Sequence, residues 1–262
     1  MSVNLKLDDS RHIAVIEFQR PEKMNTMTPQ MAQKLCDALM AAESNENMRV
    51  VVITGQGKAF CTGSDLSERL SMKAKGSIID GDFYLVLLRK AVSMIEKMKK
   101  PVIAAINGHA VGAGLEIALA CDMRIASATA KLGLPEVKVG TIAGAGGTQR
   151  LSRLIGLGAA LEIILTGELV EGTQAQSIGL VNKVVSSEQV VPAALAMAQT
   201  IACRAPLSVQ ASKLAVRKGF AMEMENALDL EAQYSRMLAT TADREEGMKA
   251  FIEKRQPRFT GK

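Results

Sequence analysis

Three short segments hold residue types suited to acid–base chemistry beside an anion site. Gly112-Ala113-Gly114-Leu115-Glu116 follows an apolar strand pattern and opens a helix. Small residues there let backbone N–H groups come close to a ligand, and a helix start adds unpaired N–H donors and the positive end of the dipole. Such a place suits an anion or a developing oxyanion. Glu116 falls in the first helical turn among Leu115, Ile117, Ala118 and Leu119. A carboxylate in apolar company needs a partner or a role. Glu136 follows Pro135 in an otherwise apolar loop. Two such carboxylates facing one cavity would form a general acid/base pair; the alternatives are an acid that favours the helix dipole and a solvated loop acid. The third segment, Ala59-Phe60-Cys61-Thr62-Gly63-Ser64-Asp65-Leu66, also follows a strand pattern. Asp65 there is suited to cap the next helix. Cys61 has no base beside it in sequence, and His109, between small neighbours, reads as structural. No GxGxxG pattern and no Walker lysine–serine pair occurs.

The elements that must position these residues alternate. His12 to Phe18 is rich in β-branched residues, with Ile13, Val15 and Glu17 on one face, and predicts a strand. Thr28-Pro29 marks a helix N-cap with proline at the first helical position, and Met31, Leu35, Leu39 and Met40 continue a helical stripe to about Ser44. Val50 to Thr54 and Pro101 to Ile106 are apolar runs suited to strands buried on both faces. Ser71 to Asp82 predicts a polar loop, and Tyr84 to Met98 a helix. Gly112 to Ala120 reads as a helix and Met123 to Ala126 as a short strand. From about Gly147 the pattern is mainly helical, with breaks near Gly167, Gly179 and Pro206. Strands interleaved with helices predict an α/β fold with parallel character.

Composition narrows the function classes. The chain has 262 residues, 48% hydrophobic and 23% charged, which is ordinary for a globular protein and too apolar for disorder. Cys36, Cys61, Cys121 and Cys203 have no CxxC spacing and read as reduced core thiols. Only two histidines are present, too few for a His-rich metal cluster. The residues before His12 hold no apolar leader, so a cytoplasmic location is expected. Val102 to Ala126 is long enough to span a bilayer, but Asn107, His109, Glu116 and Asp122 interrupt it, so a buried strand–turn–helix is expected and no membrane association. The net charge of +5 would suit nucleic acid, but aromatics are only 3% and include no tryptophan, so base-stacking platforms are scarce. A substrate carrying several phosphates suits that sign equally well.

Taken together and in order, the motifs resemble the enoyl-CoA hydratase (crotonase) family along essentially the whole chain. They include Arg20-Pro21, the Ala59–Leu66 segment, Lys100-Pro101-Val102-Ile103-Ala104-Ala105-Ile106-Asn107-Gly108 and Gly112–Glu116. Pro135-Glu136, Gly144-Ala145-Gly146-Gly147-Thr148-Gln149-Arg150-Leu151 and Asp243-Arg244-Glu245-Glu246-Gly247-Met248 complete the set. The resemblance implies a spiral core of ββα turns over residues 1–195 and a helical region over 196–262 that packs on neighbouring subunits in a trimer or a hexamer of two trimers.

It also implies an acyl-CoA substrate, with coenzyme A as part of that substrate and no separate cofactor or metal. By position the oxyanion hole falls to the N–H groups of Ser64 and Ala113. The family more often has alanine at the first and glycine at the second, and both replacements keep the N–H. A proline frequent in the family near Ala143 is missing. Glu116 and Glu136 fill both hydratase acid–base positions, with Glu116 the expected base on water and Glu136 the expected proton donor to Cα. The coenzyme A moiety is expected along Thr62, Gly63, Asp65 and Leu66 and beside Gly112 and Gly114. Lys23, Phe251 and, from a neighbouring copy, Lys254 are expected to serve its phosphates and pocket. The Ser67–Asp82 region is expected to shape the acyl end. Having both carboxylates favours hydration over isomerisation. The rivals are an isomerase or dehydratase for branched, cyclic, dienoyl or carnitinyl thioesters, an RNA-binding member, and a non-catalytic scaffold.

Overall fold

In a computed structural model, which describes residues 2–74 and 78–262, β1 (Val3–Asp8) and β2 (Ile13–Phe18) form an antiparallel hairpin. A 3-10 turn at Pro21–Lys23 leads to α1 (Pro29–Ser44), whose Thr28 cap accepts the Met31 N–H at 3.2 Å. The chain then repeats a strand–strand–helix unit. The first unit is β3 (Val50–Gly55), β4 (Ala59–Cys61), α2 (Leu66–Ala74) and α3 (Ile78–Lys97). The second is β5 (Val102–Ile106), β6 (His109–Val111) and α4 (Ala113–Ala120). The third is β7 (Met123–Ser127), β8 (Lys131–Gly133), a 3-10 turn over Pro135–Val139, α5 (Gly147–Ile155) and α6 (Leu157–Thr166). The short elements β9 (Val170–Glu171), α7 (Gly172–Ser177) and β10 (Lys183–Val185) follow. The helices α8 (Val190–Ala202), α9 (Pro206–Gly219), α10 (Met224–Leu238) and α11 (Ala242–Ile252) end the chain.

Each unit puts its first strand in a six-stranded sheet of order β1-β2-β3-β5-β7-β10 and its second in a four-stranded sheet of order β4-β6-β8-β9. The large sheet is parallel from β2 onward, as expected for strands joined by helical crossovers. This is the ββα spiral. The strand period of two decides which core each residue joins. Ile13, Val50, Val52, Ile103, Ala105 and Ile125 meet Val190, Ala194, Ala198 and Ala202 of α8 on one face of the large sheet. Ala14, Ile16 and Phe18 turn to the other face, where Met31, Leu35 and Leu39 of α1 cover them.

The apolar stretch from Val102 to Ala126 resolves into β5, β6, α4 and most of β7. Among the described residues no single helix is long and apolar enough to cross a membrane. Three expectations are corrected. The segment read as a loop from Ser71 to Asp82 is helical over its first four residues and again from Ile78, and residues 75–77 lie outside those described. Glu136 stands in a 3-10 turn rather than an open loop. Cys203 is an exposed thiol, while Cys36, Cys61 and Cys121 are buried as read.

Candidate active site

Two loop segments converge at the C-terminal ends of β4 and β6. Met24 and Asn25, both with left-handed backbone, turn the chain after Lys23 so that the stretch to Met27 runs beside Thr62–Asp65. The buried Asn25 locks that turn. Its side-chain carbonyl accepts the Arg20 N–H at 2.8 Å, and its amide donates to Gln56 and Ala59 carbonyls at 2.9 and 2.8 Å. The Met24 carbonyl accepts the Thr62 N–H at 3.2 Å, Met27 donates to Gly63 at 2.7 Å, and Asp65 donates to Met27 at 3.0 Å. In this parallel bridge Met27 bonds the residues on either side of Ser64. The Ser64 N–H is left with no hydrogen bond among the described residues.

The Ala113 N–H is free for a related reason. It is the first residue of α4, and the first N–H groups of a helix have no partner within it. Gly112 adopts φ 55° and ψ −123°, a conformation open to glycine, and its own N–H is spent on the Gly133 carbonyl at 2.9 Å. The Gly112 Cα packs closely on both neighbours. A Cβ there would stand 3.6 Å from the Gly63 Cα and 3.0 Å from Glu136 Oε1. A Cβ on Gly114 would run into the Cys61 carbonyl. The Ser64 and Ala113 segments thus lie against each other, with Glu136 over them.

Glu116, one turn into α4, is 2% exposed. Its Oε1 accepts N–H bonds from Ala145 at 2.7 Å and Gly147 at 2.9 Å. Its Oε2 makes no hydrogen bond to the described residues. Burial pushes the Glu116 carboxyl above its ordinary range, while the Gly147 and Ala145 N–H groups and the positive charges of Arg150 and Arg89 pull it back. Glu136 receives less help, from its own backbone N–H alone. Its Oε2 is buried without a hydrogen-bond partner. Burial, with a smaller push from the Glu116 charge, raises its carboxyl to about 7. The structure therefore brings together two carboxyl groups with unlike proton affinity: one solvated by two loop N–H groups and flanked by two arginines, the other with a buried oxygen left unpartnered. That is the pattern of a base and an acid working side by side.

The remaining expected residues divide. Thr62 and Gly63 line the loop beside Met24, next to the exposed Lys23. Leu66 opens α2 and is exposed. Asp65 caps α2 through the Glu68 N–H at 3.2 Å and pairs with Arg20 at 3.2 Å, so its carboxylate is already engaged. His109 accepts the Lys131 N–H at 3.1 Å, in keeping with a structural role. Burial pushes the Cys61 thiol up to about 12, which leaves it no use as a nucleophile. Phe251 lies in the last turn of α11 at 86% exposure, with Lys254 just beyond the helix. Among the described residues neither side chain makes a hydrogen bond or an ion pair to the glutamate region.

Three contributors escaped the sequence reading. Tyr84 of α3 is 2% exposed and accepts a hydrogen bond from Ser64 Oγ at 2.7 Å. Burial pushes its phenol well above the ordinary range, and the Glu116 charge adds to that. Arg69 lies over its ring, 5.5 Å from the centroid. A tyrosine on the apolar stripe of a helix was the available signal, since a buried phenol requires a polar neighbour. Arg89 and Arg150 hold the loop that solvates Glu116 and look like ordinary helix-surface residues in sequence.

Comparison with known proteins agrees with this architecture. The family model described as enoyl-CoA hydratase/isomerase matches residues 8–262. The chain is 37% identical over 260 residues to a crotonyl-CoA hydratase of Syntrophomonas wolfei, covering 99% of this chain and 98% of that protein. It is 38% identical to a short-chain-enoyl-CoA hydratase of Clostridium acetobutylicum, covering 97% of this chain and 96% of the relative. The crystal structure of an enoyl-CoA hydratase from Bacillus anthracis superposes with a TM-score of 0.96 at 38% identity, covering both chains completely. With its ββα spiral, its helical C-terminal region and these full-length matches, the chain belongs to the enoyl-CoA hydratase/isomerase family.

Proposed function

We propose that the chain is an enoyl-CoA hydratase. It adds water across the 2,3 double bond of a 2-enoyl-CoA thioester to give a 3-hydroxyacyl-CoA. One observation carries the reading: a buried and a half-buried carboxyl group of unlike proton affinity, close enough for the charge of one to raise the other, lie beside two unpaired backbone N–H groups. In this reading the thioester oxygen lies between the Ser64 and Ala113 N–H groups. Anionic Glu116 takes a proton from a water as its oxygen bonds to Cβ. The π electrons move toward the thioester oxygen, and the enolate that forms is stabilised by both N–H groups, each worth about 3 kcal/mol in comparable sites. Protonated Glu136 then delivers its proton to Cα. The two glutamates return to their starting states when Glu116 passes its proton, through the next water, to Glu136. The 2,3-enoyl carbons need no redox change, so no cofactor beyond the coenzyme A of the substrate enters the scheme.

The coenzyme A phosphates are assigned to Lys23 beside the Thr62–Leu66 loop and to Lys254 with Phe251 of a neighbouring copy. The assembly is assigned as a trimer or hexamer in which residues 196–262 meet other copies. Support comes from exposed apolar side chains on these helices, among them Val216 and Phe220 of α9 and Met224 and Leu228 of α10. Monomers rarely show so many together. The four free thiols fit a reducing, cytoplasmic setting.

The test is the loss of conjugated-thioester ultraviolet absorbance with crotonyl-CoA. Wild type is expected to turn it over, and Glu116→Gln to lose roughly 10²–10⁴-fold in kcat while still binding the thioester. Near-normal turnover by Glu116→Gln would overturn the mechanism. Thioester binding without hydration of any enoyl chain would favour isomerisation.

A further inference from the structure

Glu116 is aimed by a loop of small residues, Ala143–Gly147, that carries no side-chain anchor of its own. Two arginines supply one. Arg89 of α3 donates its Nε–H to the Gly144 carbonyl at 2.7 Å. That carbonyl belongs to the same peptide group as the Ala145 N–H that bonds Glu116 Oε1 at 2.7 Å. A cation at one end of a peptide and a carboxylate at the other polarise it in series, and hydrogen bonds in such a chain strengthen one another. Arg150 of α5 donates to the Ala145 carbonyl at 2.9 Å and pairs with Glu96 at 2.6 Å, which fixes its fork. Its Nε is buried without a hydrogen-bond partner, so the residue tolerates an imperfect fit on one side while keeping its grip on the loop.

We propose that Arg89 and Arg150 are positioning residues for Glu116: acting through the Gly144–Gly147 backbone, they aim its carboxylate into the cavity and stabilise its anionic form without touching substrate. The assignment rests on the reading of Glu116 as the base. The elements packed on α4 bring few other groups to bear. Tyr84 of α3 and Cys61 of β4 are neutral at working pH, and His109 of β6 is turned to the Lys131 N–H. Glu136 from the 3-10 turn opposes a second negative charge. Beyond the Gly147 and Ala145 N–H groups, the two arginines are what favours the anion among the described residues. They also explain how a carboxylate so buried serves as a base beside a second carboxyl group.

The experiment is the pH profile of kcat/KM for crotonyl-CoA hydration by wild type, Arg89→Gln, Arg89→Lys and Arg150→Gln, with melting temperatures alongside. Activity needs Glu116 ionised, so losing a nearby cation moves the acid limb to higher pH. Arg89→Gln is expected to move it by roughly half to one pH unit and to lower the maximum roughly 3–10-fold. Arg89→Lys keeps the charge and should hold the limb near its wild-type position. An acid limb unmoved in both Arg89→Gln and Arg150→Gln overturns the proposal. So does one uniform loss at every pH, which is what a merely structural role would give. If wild type hydrates no thioester, the function reading has failed and the arginine effect is read without turnover. Carbon-13 NMR of labelled glutamate, assigned with Glu116→Gln, then follows the Glu116 titration. The same midpoint in wild type and Arg89→Gln overturns the proposal, and a higher one in the variant supports it.

Discussion

Replacing Glu136 by glutamine should make the protein sturdier in alkali as it disables it. In the folded chain burial raises the Glu136 carboxyl from the ordinary 4.5 to about 7. The native state therefore binds more protons than the unfolded chain between those values. Stability must then fall as pH rises through that window and level off above about 7, because the slope follows the difference in bound protons. At 1.36 kcal/mol per pH unit the full cost is about 3 kcal/mol, of which roughly 2–3 kcal/mol appears between pH 5 and 8. Glutamine cannot ionise, so Glu136→Gln escapes that loss. The assay is urea unfolding of both proteins at pH 5 and pH 8 at one protein concentration. The variant should lose roughly 2–3 kcal/mol less than wild type on going to pH 8, while hydration falls by roughly 10² or more. Parallel pH dependences in the two proteins would refute the reasoning, because they would mean that Glu136 is solvated like an ordinary surface acid. The same titration sets the alkaline limb of turnover, since a proton donor is lost when it ionises. Wild-type kcat/KM should decline above about pH 7, the value that burial gives Glu136.

Two further substitutions test the geometry around the free N–H groups. Gly114→Ala would drive a methyl into the Cys61 carbonyl, and a loss of roughly 1–3 kcal/mol in denaturant unfolding is expected, against an unchanged midpoint if the loops can part freely. Tyr84→Phe removes the partner of Ser64 Oγ while keeping the buried ring, so the fold should stand and kcat/KM for crotonyl-CoA should change by roughly 3–10-fold, read from initial rates. Unaltered kinetics would show that the Ser64 hydroxyl does not influence its own N–H.

What the amino-acid order determined by itself is what local physics decides. Val50–Gly55 and Val102–Ile106 are uniform apolar runs and became strands buried on both faces. Thr28-Pro29 carries its own helix start, and α1 begins there with the expected cap. Small residues before Glu116 marked a helix N-terminus with a carboxylate in its first turn, and α4 has that form. The order of motifs along the chain carries the family resemblance by itself. Other features left little local trace. Strands β4, β6, β8 and β9 are three residues or fewer, too short for a period of two to register. The Val3–Asp8 strand alternates weakly because it lies at the sheet edge, half exposed. Whether Glu116 and Glu136 would meet was open in the sequence, because their separation along the chain says nothing about a spiral that carries both to one end of its short strands. Only tertiary structure gave Glu116 two N–H donors from a distant loop and left Glu136 Oε2 buried without a partner, and proton affinity follows from that difference in solvation. The arginines behind Glu116 act through backbone groups of a distant loop, and such contacts exist only once the chain has closed on itself.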